Sequence, residues 1–156
     1  MNSPPNPRSR ARSAARLAAV QALYQQDMEG TRLPRLLDEF HQHRLGAEID
    51  DLQFADADVH FFDDVVSGVI ARREEIDSLL ATRLAKGWKL GRLDKTMLQI
   101  LRAGTYELLA RMDVPKAAAI SEYLDVAHAF FDEREAKFAN GVLDAVAKAV
   151  RDERPS

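Results

Sequence analysis

One spacing dominates this chain. From Leu17 almost to the C-terminus, apolar residues recur at steps of three and four, and no segment alternates apolar with polar residues between hairpin turns. Side chains spaced in this way line one face of a helix, so the pattern dictates an all-α fold of about seven helices. Glycine (7) and proline (6) are sparse, and most of the prolines fall in the N-terminal stretch or near element boundaries. At 156 residues, 46% apolar and 30% charged, the chain suffices for one soluble globular domain with a sizeable core.

The stripes locate the elements. A first helix runs from Ser9 to Met28 with Leu17, Val20, Leu23 and Tyr24 on one stripe, and Asp27, Glu29 and Gly30 stop it. A second covers Pro34 to Arg44, turning Leu33, Leu36, Leu37 and Phe40 inward. After an acidic stretch, Phe62, Val65, Val66 and Val69 begin a pattern that Ile76, Leu79, Leu80 and Leu84 continue. Uninterrupted, that helix is too long for a small globule, so a break is expected at residues 72–75. Gly87 to Gly91 reads as a connector whose Trp88 packs on a neighbouring helix, and Asp94 caps the next helix. That helix carries Met97, Leu98, Leu101, Thr105, Leu108 and Leu109; Val114-Pro115 ends it. Ala117, Ile120, Leu124, Ala127 and Phe131 mark another, and Phe138, Val142, Val146 and Val150 the last. Gly141 inside the last helix costs about 1 kcal/mol relative to Ala, which reads either as a close helix–helix approach or as a tolerated defect.

Much chemistry is excluded. Cysteine is absent, which removes disulfides, thiolate zinc sites and cysteine nucleophiles. The seven glycines assemble neither a phosphate-binding loop nor a dinucleotide fingerprint. Asp56 and Asp58 open like a calcium loop, but Phe61 and Ser67 stand where Gly and Glu are needed. His41 and His43 read as a solvated helix end, His60 and His128 as packing residues, and Asp63-Asp64 and Glu74-Glu75 as solvated faces. The expectation is no enzyme, no metal and no cofactor. No apolar run approaches the roughly 18 residues of a membrane span, and the polar, Pro-rich start lacks a signal-peptide pattern, so a cytoplasmic location is expected.

Binding remains. The net charge is −3, yet residues 1–26 hold four arginines and no acid. In Arg8-Ser9-Arg10-Ala11-Arg12-Ser13-Ala14-Ala15-Arg16 small residues leave the guanidinium groups open to phosphate, with Arg12 and Arg16 on one side of the helix and expected to face solvent. The arm reads either as an anion contact or as a solubilising tail. Tyr24 lies two turns beyond Arg16, and Lys137-Phe138 pairs a cation with an aromatic. Arginine with exposed aromatic suits unpaired RNA, although Tyr24 and Phe138 also fit core positions.

Four segments carry a resemblance: Arg16-Leu-Ala-Ala-Val-Gln-Ala-Leu-Tyr24, Arg102-Ala-Gly-Thr-Tyr-Glu-Leu-Leu109, Asp113-Val-Pro115 and Lys137-Phe-Ala-Asn-Gly-Val-Leu-Asp144. In this order, from about residue 8 to residue 151, they resemble the NusB family of bacterial transcription antitermination factors. The resemblance implies two three-helix bundles with connecting helices, and a heterodimer with NusE, the small-subunit ribosomal protein that doubles as a transcription factor. It implies recognition of boxA-type RNA and action within an RNA polymerase antitermination complex. It places Arg10, Arg12, Arg16, Tyr24, Lys137 and Phe138 at the RNA or partner surface. Ala139 and Ser121 depart from the family's usual Val and Asn, and Phe130 to Ala136 from its usual glycine-containing loop.

The expected organisation is a flexible basic tail over 1–8 and a single RNA-binding domain over 9–152. Two other readings stand beside it. One is the regulatory module of an RNA methyltransferase, against which the chain's end without a nucleotide-binding unit counts; the other is a homodimeric interaction protein without an RNA role.

Overall fold

Helix α1 (Pro7–Glu29) begins on a proline, whose missing N–H costs nothing in a first turn. The computed structural model describes residues 7–43 and 58–151. Thus only Pro7 and Arg8 of the expected tail lie within the described residues, and both already belong to α1. Arg44 and Asp56 fall outside them, as does the acidic stretch that precedes the third helix, apart from Asp58. Among the described residues there are seven α-helices, one 3₁₀ turn and no strand. The chain divides between Ser67 and Gly68 into two compact units.

In the first unit α1 packs on α2 (Leu33–His43) and buries Ala15, Ala18, Ala19, Val20, Ala22 and Leu23. Small residues at these positions allow close backbone approach while Val20 and Leu23 supply bulk. The Gly30 N–H donates to the Gln26 carbonyl (2.9 Å), and its φ of 69° makes it the left-handed residue that ends α1. Leu36 and Phe40 are the buried residues of α2, and Phe40 stacks on Phe62 with ring centroids 5.5 Å apart. Asp58 caps α3 (Val59–Ala71): its Oδ1 accepts from the Phe61 N–H (2.9 Å), while its own N–H donates to the Ala11 carbonyl (3.0 Å).

The second unit begins within α3. The expected interruption falls at Arg72, whose φ and ψ of −109° and 21° are not helical and separate α3 from α4 (Arg73–Arg83). After the connector, with its 3₁₀ turn at Leu90–Arg92, the Asp94 carboxylate caps α5 (Lys95–Ala110), accepting from the Thr96 and Met97 N–H groups at 2.8 and 3.1 Å. Every residue from Met97 to Leu108 is buried, so α5 is the unit's central rod. Helices α4, α6 (Lys116–Phe130) and α7 (Glu133–Val150) pack against it.

On a helix buried all round the charged side chains need partners, and they have them, although the Thr105 hydroxyl has none. Arg102 forks onto Asp77 of α4 at 2.8 and 2.9 Å, and the Tyr123 hydroxyl of α6 donates to Glu107 at 2.7 Å. Arg151 closes the far end: its guanidinium donates to the carbonyls of Glu107, Leu108, Arg111 and Val114 at 2.6–3.1 Å, holding the last turn of α5 and the loop after it.

The α6 stripe sits in a different phase from the one expected. In α6, Ala119, Tyr123, Val126 and Ala127 are buried while Ala117 is exposed. Gly141 is exposed, with no atom within 4 Å of a Cβ built there, so it is no site of close approach. The tight positions are Gly104, whose Cβ would lie 2.9 Å from Leu143, and Gly68, whose Cβ would lie 2.2 Å from the Tyr106 ring.

Candidate nucleic-acid interface

The expected binding residues fall in both units and are described unit by unit. In the first unit, Arg10 is exposed at the end of the first turn of α1. Arg12 and Arg16, one turn apart, do share a side of the helix, but that side faces Phe61 rather than solvent. The Arg12 guanidinium lies 4.6 Å from the Phe61 ring centroid and 3.7 Å from the Asp58 carboxylate. Arg16 lies 4.8 Å from the same centroid and is only 5% exposed. The expectation that both face solvent is therefore corrected. An aromatic ring presents a negative face that attracts a guanidinium, and the carboxylate fixes the outer one. Phe61 and Asp58 were the unread half of this cluster; the only signal for them was their placement at the start of α3.

Tyr24 leaves the stripe it was expected to share and is 41% exposed, with Met28 exposed one turn further on. It lies fourteen residues from Arg10, about 21 Å along the helix axis. Together Arg10 and Tyr24 present a cation and an aromatic ring to solvent on one rigid element.

In the second unit Lys137 is exposed and Phe138 is half-buried in the second turn of α7. The Phe138 ring meets Trp88 of the connector at 5.6 Å and a 39° tilt, so Trp88 does pack on a helix as expected, although it is more than half exposed. Asp132 caps α7 through the Arg134 and Glu135 N–H groups (3.0 and 3.4 Å). The Glu135 side chain shares a hydrogen bond with the Asp132 carboxyl, which holds Asp132 below the ordinary carboxylate range and Glu135 above it. The divergent segment between α6 and α7 thus ends in an aspartate N-cap.

The histidines form no metal cluster among the described residues. His41 is hydrogen-bonded to Asp63 at 2.6 Å. His60 and His128 are exposed rather than packed inside, His128 lying 3.8 Å from Glu133. No helix among the described residues is long and apolar enough to cross a membrane.

Comparison with known proteins gives a consistent picture. Residues 13–148 match the NusB family. The chain is 75% identical over 142 residues to the transcription antitermination protein NusB of Novosphingobium aromaticivorans, covering 91% of this chain and 96% of that protein. It is 65% identical over 146 residues to the transcription antitermination protein NusB of Sphingopyxis alaskensis, covering 94% and 98%. Its structure is similar to a chain in the crystal structure of antitermination factors NusB and NusE in complex with dsRNA, with a TM-score of 0.75, 27% identity and coverage of 90% and 98%.

Proposed function

The chain belongs to the NusB family, and on that premise we propose that it is a transcription antitermination factor that binds boxA-type single-stranded RNA in complex with NusE. In this reading it joins the RNA polymerase antitermination complex and helps the polymerase read through terminators in rRNA operons. It acts in the cytoplasm by binding, without catalysis, and residues 9–152 form the RNA-binding domain. The observation that carries the reading is the match, over 90% of the chain, to a protein solved together with NusE and dsRNA.

The chemistry of the surface supports it. Arg10 and Lys137 are exposed cations suited to phosphate oxygens, and Tyr24 and Phe138 supply aromatic faces for unpaired bases or for the partner. Arg12 and Arg16 take a supporting part: stacked on Phe61, they stiffen the start of α1 and bring positive potential to it.

The test is a mobility-shift titration of labelled boxA-type RNA with the purified chain, with and without NusE, against a scrambled single strand and a duplex of the same composition. A shift that is strengthened by NusE and selective for the boxA-type strand is the expected result. Equal retention of all three RNAs, or no gain from NusE, overturns the reading.

A further inference from the structure

The connector between α4 and α5 carries a second cationic strip that the N-terminal arginines overshadow. Arg83, Lys86, Lys89, Arg92 and Lys95 recur at every third residue, all five are exposed, and Asp94 is the sole acid from residue 83 to residue 95. The strip therefore carries +4 in a chain whose net charge is −3. Asp94 is committed to the α5 cap, and no acid pairs with any of the five cations among the described residues.

In the middle of the strip stands Trp88, 54% exposed. Gly87 before it has a φ of 93°, a left-handed turn that an L-residue adopts only with strain. The indole leans on Phe138 at 5.6 Å and a 39° tilt, so one edge is anchored while the rest of the ring stays open. Beneath it is a cavity of about 330 Å³, lined chiefly by Trp88, Arg92, Met97, Phe131, Arg134 and Phe138. Its lining is mainly apolar and aromatic, two guanidinium groups and two carboxylates border it, and its size suits a single flat ring system.

We propose that the Trp88–Phe138 cavity takes one unpaired RNA base, stacked on the indole, while Lys86, Lys89 and Arg92 hold the flanking phosphates. This deepens the RNA-binding reading above and rests on it. The occupant follows from the combination: an open aromatic face alone would suit many partners, but a run of cations at regular spacing on both sides of it matches a single strand, whose phosphates repeat along the backbone while its bases splay outward. Asp94 and Glu135 also border the cavity and balance its two guanidinium groups, so the positive excess that would hold a strand lies in the flanking lysines and arginines of the strip.

Trp88 is the chain's one tryptophan, so its emission reports on this cavity directly. The experiment uses the full chain with NusE and a labelled single-stranded boxA-type RNA. It records RNA affinity by anisotropy, and the tryptophan emission as the difference between the wild type and Trp88→Phe. Expected are quenching on RNA addition, a roughly 5- to 160-fold loss of affinity in Trp88→Ala, and near-complete rescue in Trp88→Phe. Lys86→Ala with Lys89→Ala touches no packed residue and should flatten the plot of log affinity against log salt by about 1.4. Wild-type affinity in Trp88→Ala with unmoved emission overturns the proposal and leaves the RNA-binding reading standing. Loss of NusE binding in Trp88→Ala with RNA affinity intact overturns it in favour of a protein-docking role. If Trp88→Ala is less stable, the lysine pair decides, and an unchanged slope overturns the proposal. No RNA binding by the wild type with NusE defeats the underlying reading and this proposal with it.

Discussion

Arg16 shows how far a side chain's chemistry depends on what lies one helix away. On α1 alone it is a cation among alanines, one turn from Arg12, and nothing in that spacing distinguishes a phosphate ligand from a packed residue. The start of α3 decides the matter by placing the Phe61 ring 4.8 Å from the guanidinium. A desolvated cation over a ring contributes about 2 kcal/mol, and the aliphatic stem adds apolar packing. Arg16→Ala is therefore expected to destabilise the protein by about 1–3 kcal/mol in urea unfolding, whereas Arg10→Ala stays within about 0.5 kcal/mol. Equal stability of the two variants would remove Arg16 from the core. The motif around Arg16 was legible as part of a family pattern; its burial was not, because cation–ring contacts between residues 45 positions apart leave no local periodicity. The same holds for Arg151, whose four carbonyl acceptors lie 37 to 44 residues upstream.

At the scale of elements the helices themselves were legible, since stripes, caps and length limits are local. Asp94 announced α5, and the length of an uninterrupted helix announced the break at Arg72. What stayed hidden was the phase of alanine-rich faces and the side on which a glycine matters, because Ala fits either a core or a surface. Gly141 and Gly68 convert this into opposite signs. Gly141→Ala adds a methyl in open space on an exposed helix face and should stabilise by about 0.5–1 kcal/mol. Gly68→Ala drives a Cβ to 2.2 Å from the Tyr106 ring and should destabilise by about 1–3 kcal/mol or more. Thermal melts of the two variants separate the cases, and a shared sign would contradict the packing. The Arg72 break has its own signature in pH. Arg72 donates to both Glu75 oxygens at 2.8 and 3.0 Å, which holds the Glu75 carboxyl below its ordinary range. A depressed carboxylate contributes stability that is fully present above the unfolded value of about 4.3 and is lost as pH falls through the folded value. The wild type should thus melt above Glu75→Gln at about pH 7, and the difference should shrink as acidification protonates the carboxyl. A gap that widens on acidification would show the opposite linkage.

For the whole molecule the decisive quantity is where charge sits rather than its total. A net charge of −3 gives no long-range attraction to RNA, yet residues 1–26 and 83–95 each carry +4, leaving the remainder strongly acidic. Association with a polyanion then has to come from local contacts, while the acidic remainder repels wrongly oriented encounters. Counterion release makes such contacts countable: each phosphate neutralised on a single strand contributes about −0.7 to the slope of log affinity against log salt. Arg10 and Lys137, both exposed, are the cleanest probes, one from each unit. Arg10→Ala and Lys137→Ala should each flatten the slope by about 0.7, and the double variant by about 1.4, because the slope counts contacts wherever they lie. Circular dichroism should be unchanged in all three, since alanine favours helix at both positions and neither side chain is buried. Arg12→Ala with Arg16→Ala should behave differently: it should lower the melting temperature, and its slope change should fall short of two contacts, because Arg16 is withdrawn beneath Phe61. If instead the Arg12, Arg16 pair flattens the slope by the full 1.4 while the Arg10, Lys137 pair leaves it unmoved, RNA binding must open the Phe61 cluster and draw both guanidinium groups onto the backbone, and neither Arg10 in the first unit nor Lys137 in the second is a phosphate contact.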